Sequence, residues 1–128
     1  MSRVIVRQST RSYVQTVDEL VAAIERRGLT LFARIDHAAG ARAAGLELAD
    51  EQVLTFGNPQ SGTALMQNDP RIGIELPLRM LVWSTATEVL VGFNDPRELA
   101  SSYAIAALRQ TLEQMATLLE ALAREACG

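Results

Sequence analysis

"RVIVRQSTRSYVQTVDELVAAIERRGLTLFARID", residues 3–36, decides the fold class, because its hydrophobic period changes twice. Residues 3–8 are short, β-branched and partly alternating, the pattern of a strand. Ser12 and Gln15 then have capping-box spacing, and Thr16 with Glu19 offers a second start. Tyr13, Val17, Leu20 and Ile24 follow at intervals of four, three and four, which is one face of a helix. Gly28 sits where a glycine stop is expected. Beyond it Leu29, Leu31, Ala33 and Ile35 alternate with Thr30, Phe32, Arg34 and Asp36, so a second strand is expected.

The reading continues outward from this strand–helix–strand unit. Asp36 can cap the alanine-rich segment "HAAGARAAG", and Gly45 can end it. "EQVLTF" (residues 51–56) predicts a third strand, and residues 57–69 read as an irregular loop. Pro70 opens "PRIGIELP", for which a helical turn is expected. "LRMLVWS" and "VLVGF" predict two further strands joined as an antiparallel hairpin. Asp95, Pro96 and Glu98 carry N-cap, first-position and N3 signals. Ile105, Leu108, Leu112, Met115, Leu119 and Leu122 then recur at alternating intervals of three and four. A helix over residues 97–126 would be about 45 Å long. The expectation is one α+β domain over residues 1–128, with a mixed or antiparallel sheet of about five strands covered by helices and a long C-terminal helix.

Composition bounds the function. The chain has 128 residues, 48% hydrophobic and 21% charged, with a net charge of −3, which fits a globular domain with a core of its own. The slightly acidic balance gives no footprint for nucleic acid, and the sequence has no polybasic run to hold an anionic membrane. No apolar run approaches the ~20 residues of a membrane span, and the N-terminal residues do not read as a signal peptide. The one cysteine, Cys127, cannot form an internal disulfide and reads as an exposed thiol at a frayed end. A soluble cytoplasmic protein is expected.

"FARIDHAAGARAAGLEL" (32–48), "FGNPQSGTALMQNDP" (56–70) and "IELPLRMLVW" (74–83) occur in that order. Together they resemble the domain-of-unknown-function 302 family, over about residues 16–94 and continuing into the last helix. The resemblance implies a compact α+β fold, often a homodimer, with no established biochemical activity. Asp36 and His37 match the family's motif. Glu75 stands where the family usually has an aspartate before Leu-Pro, and the hairpin turn is shorter than usual.

The candidate site follows from residue chemistry. His37, the only histidine, lies beside Asp36 where a strand gives way to a helix, and could move a proton near neutral pH. Residues 57–63, "GNPQSGT", combine Gly57, Asn58 and Gly62 for a tight turn with the hydroxyls of Ser61 and Thr63. Consecutive amides there could hold an anion, although Walker spacing and its lysine are absent. Glu75, among apolar neighbours, calls for a partner such as Arg34, Arg79 or His37. The ligand-binding set expected is therefore Asp36, His37, Asn58, Ser61, Thr63 and Glu75, gathered in one cleft, with His37 and Glu75 the catalytic candidates. No metal site and no cofactor are expected, since one histidine and no spaced cysteines make a poor zinc set. Three functions stay open: a homodimeric small-ligand or anion-binding module, a hydrolase- or lyase-like enzyme with His37 as general base, and an interaction module using the C-terminal helix. The apolar stripe of that helix, around Met115, Leu119 and Leu122, is the expected dimer contact.

Overall fold

A computed structural model describes residues 4–128. Its strands are β1 (Val4–Gln8), β2 (Thr30–Asp36), β3 (Glu51–Gly57), β4 (Leu78–Ser84) and β5 (Val89–Asn94). Its α-helices are α1 (Tyr13–Arg26), α2 (His37–Ala43), α3 (Pro59–Asn68) and α4 (Arg109–Cys127), with short 3-10 segments at Pro70–Glu75, Pro96–Ser101 and Ala106–Leu108. Residue 3, the expected first residue of the first strand, lies outside the described residues.

The five strands form one antiparallel sheet in the order β1-β5-β4-β3-β2. Strands β2 to β5 are neighbours in chain order, with α2 inside the β2–β3 connection, α3 and a 3-10 segment inside the β3–β4 connection and a short hairpin turn between β4 and β5, and β1 closes the far edge against β5. Helix α1 starts at a complete capping box: Ser12 accepts from the Gln15 N–H, and the Gln15 side chain accepts from the Ser12 N–H. Its apolar face buries Val17, Leu20, Ala23 and Ile24 against Leu54, Phe56, Met80, Val82, Val91 and Phe93 of the sheet. Gly28, at φ 70°, makes the left-handed turn into β2.

Two expectations about chain path are corrected. Residues 57–69 are not an irregular loop. Asn58 caps α3 by accepting from the Gln60 N–H at 2.9 Å, and Pro59 takes the first helical position, where its missing N–H costs nothing. The C-terminal helix starts at Arg109 rather than Arg97. Asp95 does cap, but it caps the 3-10 segment Pro96–Ser101, where Arg97 donates back to its carboxylate. The Ser101 hydroxyl then bonds the Glu98 carbonyl, and the Ala104 N–H is drawn away to Asp69. The local bond of Ser101 to the backbone, together with this long-range bond, interrupts the helix that the apolar spacing suggests.

Helix α4 therefore has 19 residues, or about 28 Å, close to the ~24 Å width of five strands. It lies beside α1 and buries Leu119, Leu122, Ala123 and Ala126 in the same core. Met115, Leu119 and Leu122 are thus buried within the chain and not offered on its surface, and the helix is not too long for its sheet, which removes the reason for expecting a dimer contact along this stripe. Cys127 is also corrected. Its thiol is fully buried, and burial pushes its pKa up. The last carbonyls of α4 are held by the β1–α1 connection. Arg11 Nη1 donates to the carbonyls of Glu125 and Ala126 at 2.6 and 3.0 Å, and Thr10 donates to that of Cys127 from both its N–H and its hydroxyl.

Leu119→Ala is expected to lower unfolding free energy by about 2–5 kcal/mol in urea titrations, through the cavity it leaves. Leu119→Glu is expected to abolish folding rather than release a folded monomer. A folded, monomeric Leu119→Glu protein would contradict the buried position. The Cys127 thiol should react with a water-soluble disulfide reagent only after denaturant is added; prompt reaction in the native protein would show it exposed.

Candidate functional site

A second, smaller apolar cluster sits beyond the end of the sheet. It joins Leu65 of α3, Ile72, Ile105, Leu112 and Met115. Leu78 touches both this cluster and the main core. Where the two meet, the side chains leave a cavity of about 510 Å3. Its floor is Leu78, Met115 and Leu118, and Leu29 and Phe32 come from the start of β2 and the turn before it. Gly57, Asn58, Pro59, Ser61, Gly62, Thr63 and Met66 form the wall from β3 into α3, and Gly73, Leu76 and Pro77 close the remaining side. The Leu76–Pro77 peptide is cis.

This site is mostly apolar, with polar side chains from Asn58, Ser61 and Thr63 at the start of α3 and from Thr55 of β3. Gly57 and Gly62 keep it open. A Cβ on Gly57 would reach Phe32 and Pro77 at 3.7 Å, and one on Gly62 would reach Leu76 at 3.7 Å. Both are ordinary contacts, so the glycines hold space and not strain.

Of the residues expected to converge, Asn58, Ser61 and Thr63 line this cavity. Asn58 is already engaged as the α3 cap. Asp36 and His37 do not join them. Thr30 pairs with Gly57 while Asp36 pairs with Gln52, so Asp36 and the 57–63 segment sit at opposite ends of the β2–β3 pair. Six residues of extended chain put them about 20 Å apart. Asp36 instead caps α2, accepting from the Ala39 N–H at 2.9 Å, and His37 is the exposed first residue of that helix. The one-cleft expectation is therefore corrected by the antiparallel register, which sends the chain away from the loop as it approaches His37.

Glu75 borders the cavity through Leu76 but turns elsewhere. Its carboxylate accepts from the Tyr103 hydroxyl at 2.7 Å, not from Arg34, Arg79 or His37. That hydrogen bond, with burial behind it, holds the Tyr103 pKa above its ordinary value. Arg71 lies over the Tyr103 ring, 5.9 Å from its centroid. The same Arg71 chelates buried Asp69 through Nε at 3.0 Å and Nη2 at 2.7 Å. Asp69 also accepts from the backbone N–H groups of Arg71 and Ala104. Chiefly because of Arg71, its carboxyl is held well below the usual carboxylate range. This network ties the 3-10 segment Pro70–Glu75 to the 103–105 stretch and so fixes the outer wall of the cavity. Among the described residues, no group of three His, Cys, Asp or Glu side chains is placed to hold a metal ion.

The sequence reading missed the apolar lining. Leu29, Phe32, Leu76, Met115 and Leu118 come from three separate stretches of chain, and their apolar side chains carry no chemical signature of a site. The available signal was Asn58-Pro59, an N-cap followed by a first-turn proline, which would have put Ser61, Gly62 and Thr63 on a helix.

The fold and this cavity define an α+β domain built on one open antiparallel sheet, with a mainly apolar recess at the sheet's end. The chain belongs to the family described as "Domain of unknown function DUF302", whose model matches residues 5–122. An uncharacterized conserved DUF302 protein from Bacillus stearothermophilus, solved by crystallography, has the same fold. Its TM-score is 0.87 at 17% identity, covering 98% of each chain. The chain is also 39% identical over 99 residues to "Fluoride-specific ion channel FluC 1" of Brucella suis, which is 77% of this chain and 39% of that protein. The same identity and span hold for "Fluoride-specific ion channel FluC 2" of Brucella melitensis, where 37% of that protein is covered. The chain thus spans about two-fifths of the length of these curated relatives. No helix among the described residues is long and apolar enough to cross a membrane.

The Asp69 network has a pH signature. A carboxyl whose folded pKa lies below its unfolded value of about 3.9 stabilises the fold fully above that value. The contribution is lost as pH falls through the folded pKa. Urea midpoints of the native protein should therefore drop below about pH 4 more steeply than those of Asp69→Asn, which lacks this component and is less stable at neutral pH. Parallel pH profiles for the two proteins would show that Asp69 is not so held.

Proposed function

We propose that the chain is a small-ligand-binding module, and that its ligand is a compact amphiphile: an apolar body with one polar or anionic head. The observation that carries this is the cavity. Its volume of about 510 Å3 is in the usual range for small-molecule sites, roughly 300–1,000 Å3. Its lining is mostly aliphatic, aromatic and thioether, with the hydroxyls of Thr55, Ser61 and Thr63 as the polar groups available. No lysine or arginine lines it, which disfavours a bare inorganic anion and favours a ligand that contributes hydrophobic area. An enzyme using His37 as base finds less support, since His37 stands about 20 Å of strand away from this recess. The buried, unpaired thiol of Cys127 fits a cytoplasmic location.

The relatives named as fluoride-specific ion channels support a second element of the proposal. An α-helical conducting path needs spanning helices, and the described residues contain none of that kind. In those longer relatives the matched 99 residues are read as an attached module, with conduction belonging to the remaining length. The binding recess would then be a sensing or accessory site.

The test is binding of 1-anilinonaphthalene-8-sulfonate, followed by its fluorescence and displaced with decanoate. Native protein is expected to bind the dye, and decanoate to compete. Gly62→Leu should weaken binding at least tenfold without loss of folding. Its Cβ meets no clash, leucine favours a helix, and the added side chain fills the recess. Equal binding by native and Gly62→Leu proteins would remove the cavity as the site.

A further inference from the structure

We propose that Arg34, Tyr13 and Asp36 form a second binding site, at the end of the β2–β3 pair opposite the recess, for the adjoining carboxylate and ammonium groups of a free α-amino acid. The first sign of it is in β2. Clean alternation along residues 29–36 would turn Leu31, Ala33 and Ile35 to one face and Arg34 and Asp36 to the other. The β2–β3 register instead slips between Leu31 and Ala33. Leu31 stands opposite the core residue Phe56, but beyond the slip Arg34 stands opposite Leu54 and Asp36 opposite Gln52. Two charged residues are thus set on the helix-covered face of the sheet. Ile35 is sent to the open face, where it is 48% exposed. Left in phase, the strand would cover the isoleucine and leave both charges on the open face. A bulge that makes this exchange re-aims the charged side chains, as bulges beside functional sites do.

The charges meet a buried bracket. Gln52 is 7% exposed, and both ends of its amide are used. Its Oε1 accepts from Arg34 Nε at 3.0 Å, and its Nε2 donates to the Tyr13 hydroxyl at 3.2 Å. The Tyr13 ring packs on the main core, which fixes the hydroxyl beside Gln52. Each group so held keeps donors to spare. Arg34 is exposed, and its two Nη groups bond to nothing among the described residues. The Tyr13 oxygen accepts from Gln52, so its own proton is free to donate. Burial, and then the charges of Asp36 and Asp50, raise the Tyr13 pKa and keep that proton in place. A guanidinium edge beside a phenol is a carboxylate-binding set. Asp36 supplies the opposite charge. Its Oδ1 accepts from the Ala39 N–H, and its Oδ2 has no partner among the described residues. Arg34 and Asp36 stand two residues apart on one face, about 7 Å along the strand. Neither forms an ion pair with the other or with any described residue. An α-amino acid suits this gap, with its carboxylate on Arg34 and Tyr13 and its ammonium on Asp36. Charge balance selects it. Asp36 and Asp50 repel a bare anion and Arg34 repels a bare cation, whereas a zwitterion meets both signs.

Amide-resolved NMR titration of the full chain at neutral pH tests this, with glycine as the probe because it carries only the two matched groups. Acetate and methylammonium serve as its separate halves. Glycine is expected to shift the signals of Tyr13, Arg34, Asp36 and Gln52, and to bind at least tenfold more tightly than either half. Arg34→Met keeps the aliphatic stem and should weaken glycine at least tenfold. Asp36→Asn keeps the α2 cap, since asparagine caps as well as aspartate, and removes the charge. It should weaken glycine at least fivefold while acetate binds as well as before or better. A purely structural role for Asp36 would not split the two probes in this way. Circular dichroism checks that the variants fold; if Arg34→Met does not, Asp36→Asn decides alone. Absence of shifts at these residues would overturn the proposal. So would acetate or methylammonium binding as tightly as glycine, or glycine binding unmoved by Asp36→Asn.

Discussion

The docking of α4 onto the sheet beside α1 is the constraint on which the rest depends. One helix face serves three purposes along its length. At its C-terminal end Leu119, Leu122, Ala123 and Ala126 complete the main core. One to two turns earlier Met115 and Leu118 form the cavity floor. At its start Leu112 closes the smaller cluster. Alanines at 116, 123 and 126 let the helix backbone approach the sheet closely, and a close-packed interior leaves little freedom to adjust. The clamp on its C-terminal carbonyls by Thr10 and Arg11 sets the helix along its axis. A shift of one turn would therefore break the carbonyl clamp and move Met115 out of the recess together.

The outer wall of the recess is held by a different kind of force. The segments 70–77 and 95–105 are 3-10 turns and loops that bury Ile72 and Ile105 in the smaller cluster but have no regular backbone ladder to fix their path. Asp69 compensates. A buried carboxylate is stabilising only when its lone pairs are met, and here Arg71 and the Ala104 amide meet them. Tyr103 and Glu75 add a second cross-link between the same two segments. Glu75 thus works as an acceptor behind the wall and not as a group facing the recess.

What was legible in the sequence was what local rules determine. A partly alternating run marked β1, a clean alternation marked β2, short apolar runs marked β3 to β5, and Ser12 with Gln15 marked the start of α1, because these signals are set by neighbours a few residues apart. The family motifs likewise carried the fold. The convergence of His37 with residues 57–63 could not be judged from those motifs. It depends on which ends of β2 and β3 are adjacent, and an antiparallel pairing puts Gly57 beside Thr30 and not beside Asp36. The break in the C-terminal helix was hidden for a related reason. The apolar spacing from Ile105 onward is helical, and what interrupts it upstream is the capture of the Ala104 N–H by Asp69, thirty-five residues away. Cys127 was misplaced because chain ends usually fray, whereas here Ser9 and Thr10 reach the last helical carbonyls.

The recess and the open sheet face draw on one set of strands. Alternation sends Leu54, Phe56 and Leu78 toward the helices and Val53 and Leu81 away from them, while Thr55, paired with Arg79 and in step with Val53, also lines the recess. The recess opens at the end of the sheet where Gly57 leads into α3, while the Val53–Leu81 pair lies in the middle of the β3–β4 ladder. Substitutions at Leu81 therefore change the outer face away from the recess, whereas those at Arg79 fall beside Thr55 of its lining. Substitutions at Gly62 change the recess and not the outer face. Coupling between the two would have to run through β3 and β4, whose pairing extends unbroken from Glu51–Trp83 to Phe56–Leu78. Leu78 is the residue where such coupling would be felt, since it is at once the last rung of that ladder, part of both apolar clusters and the floor of the recess.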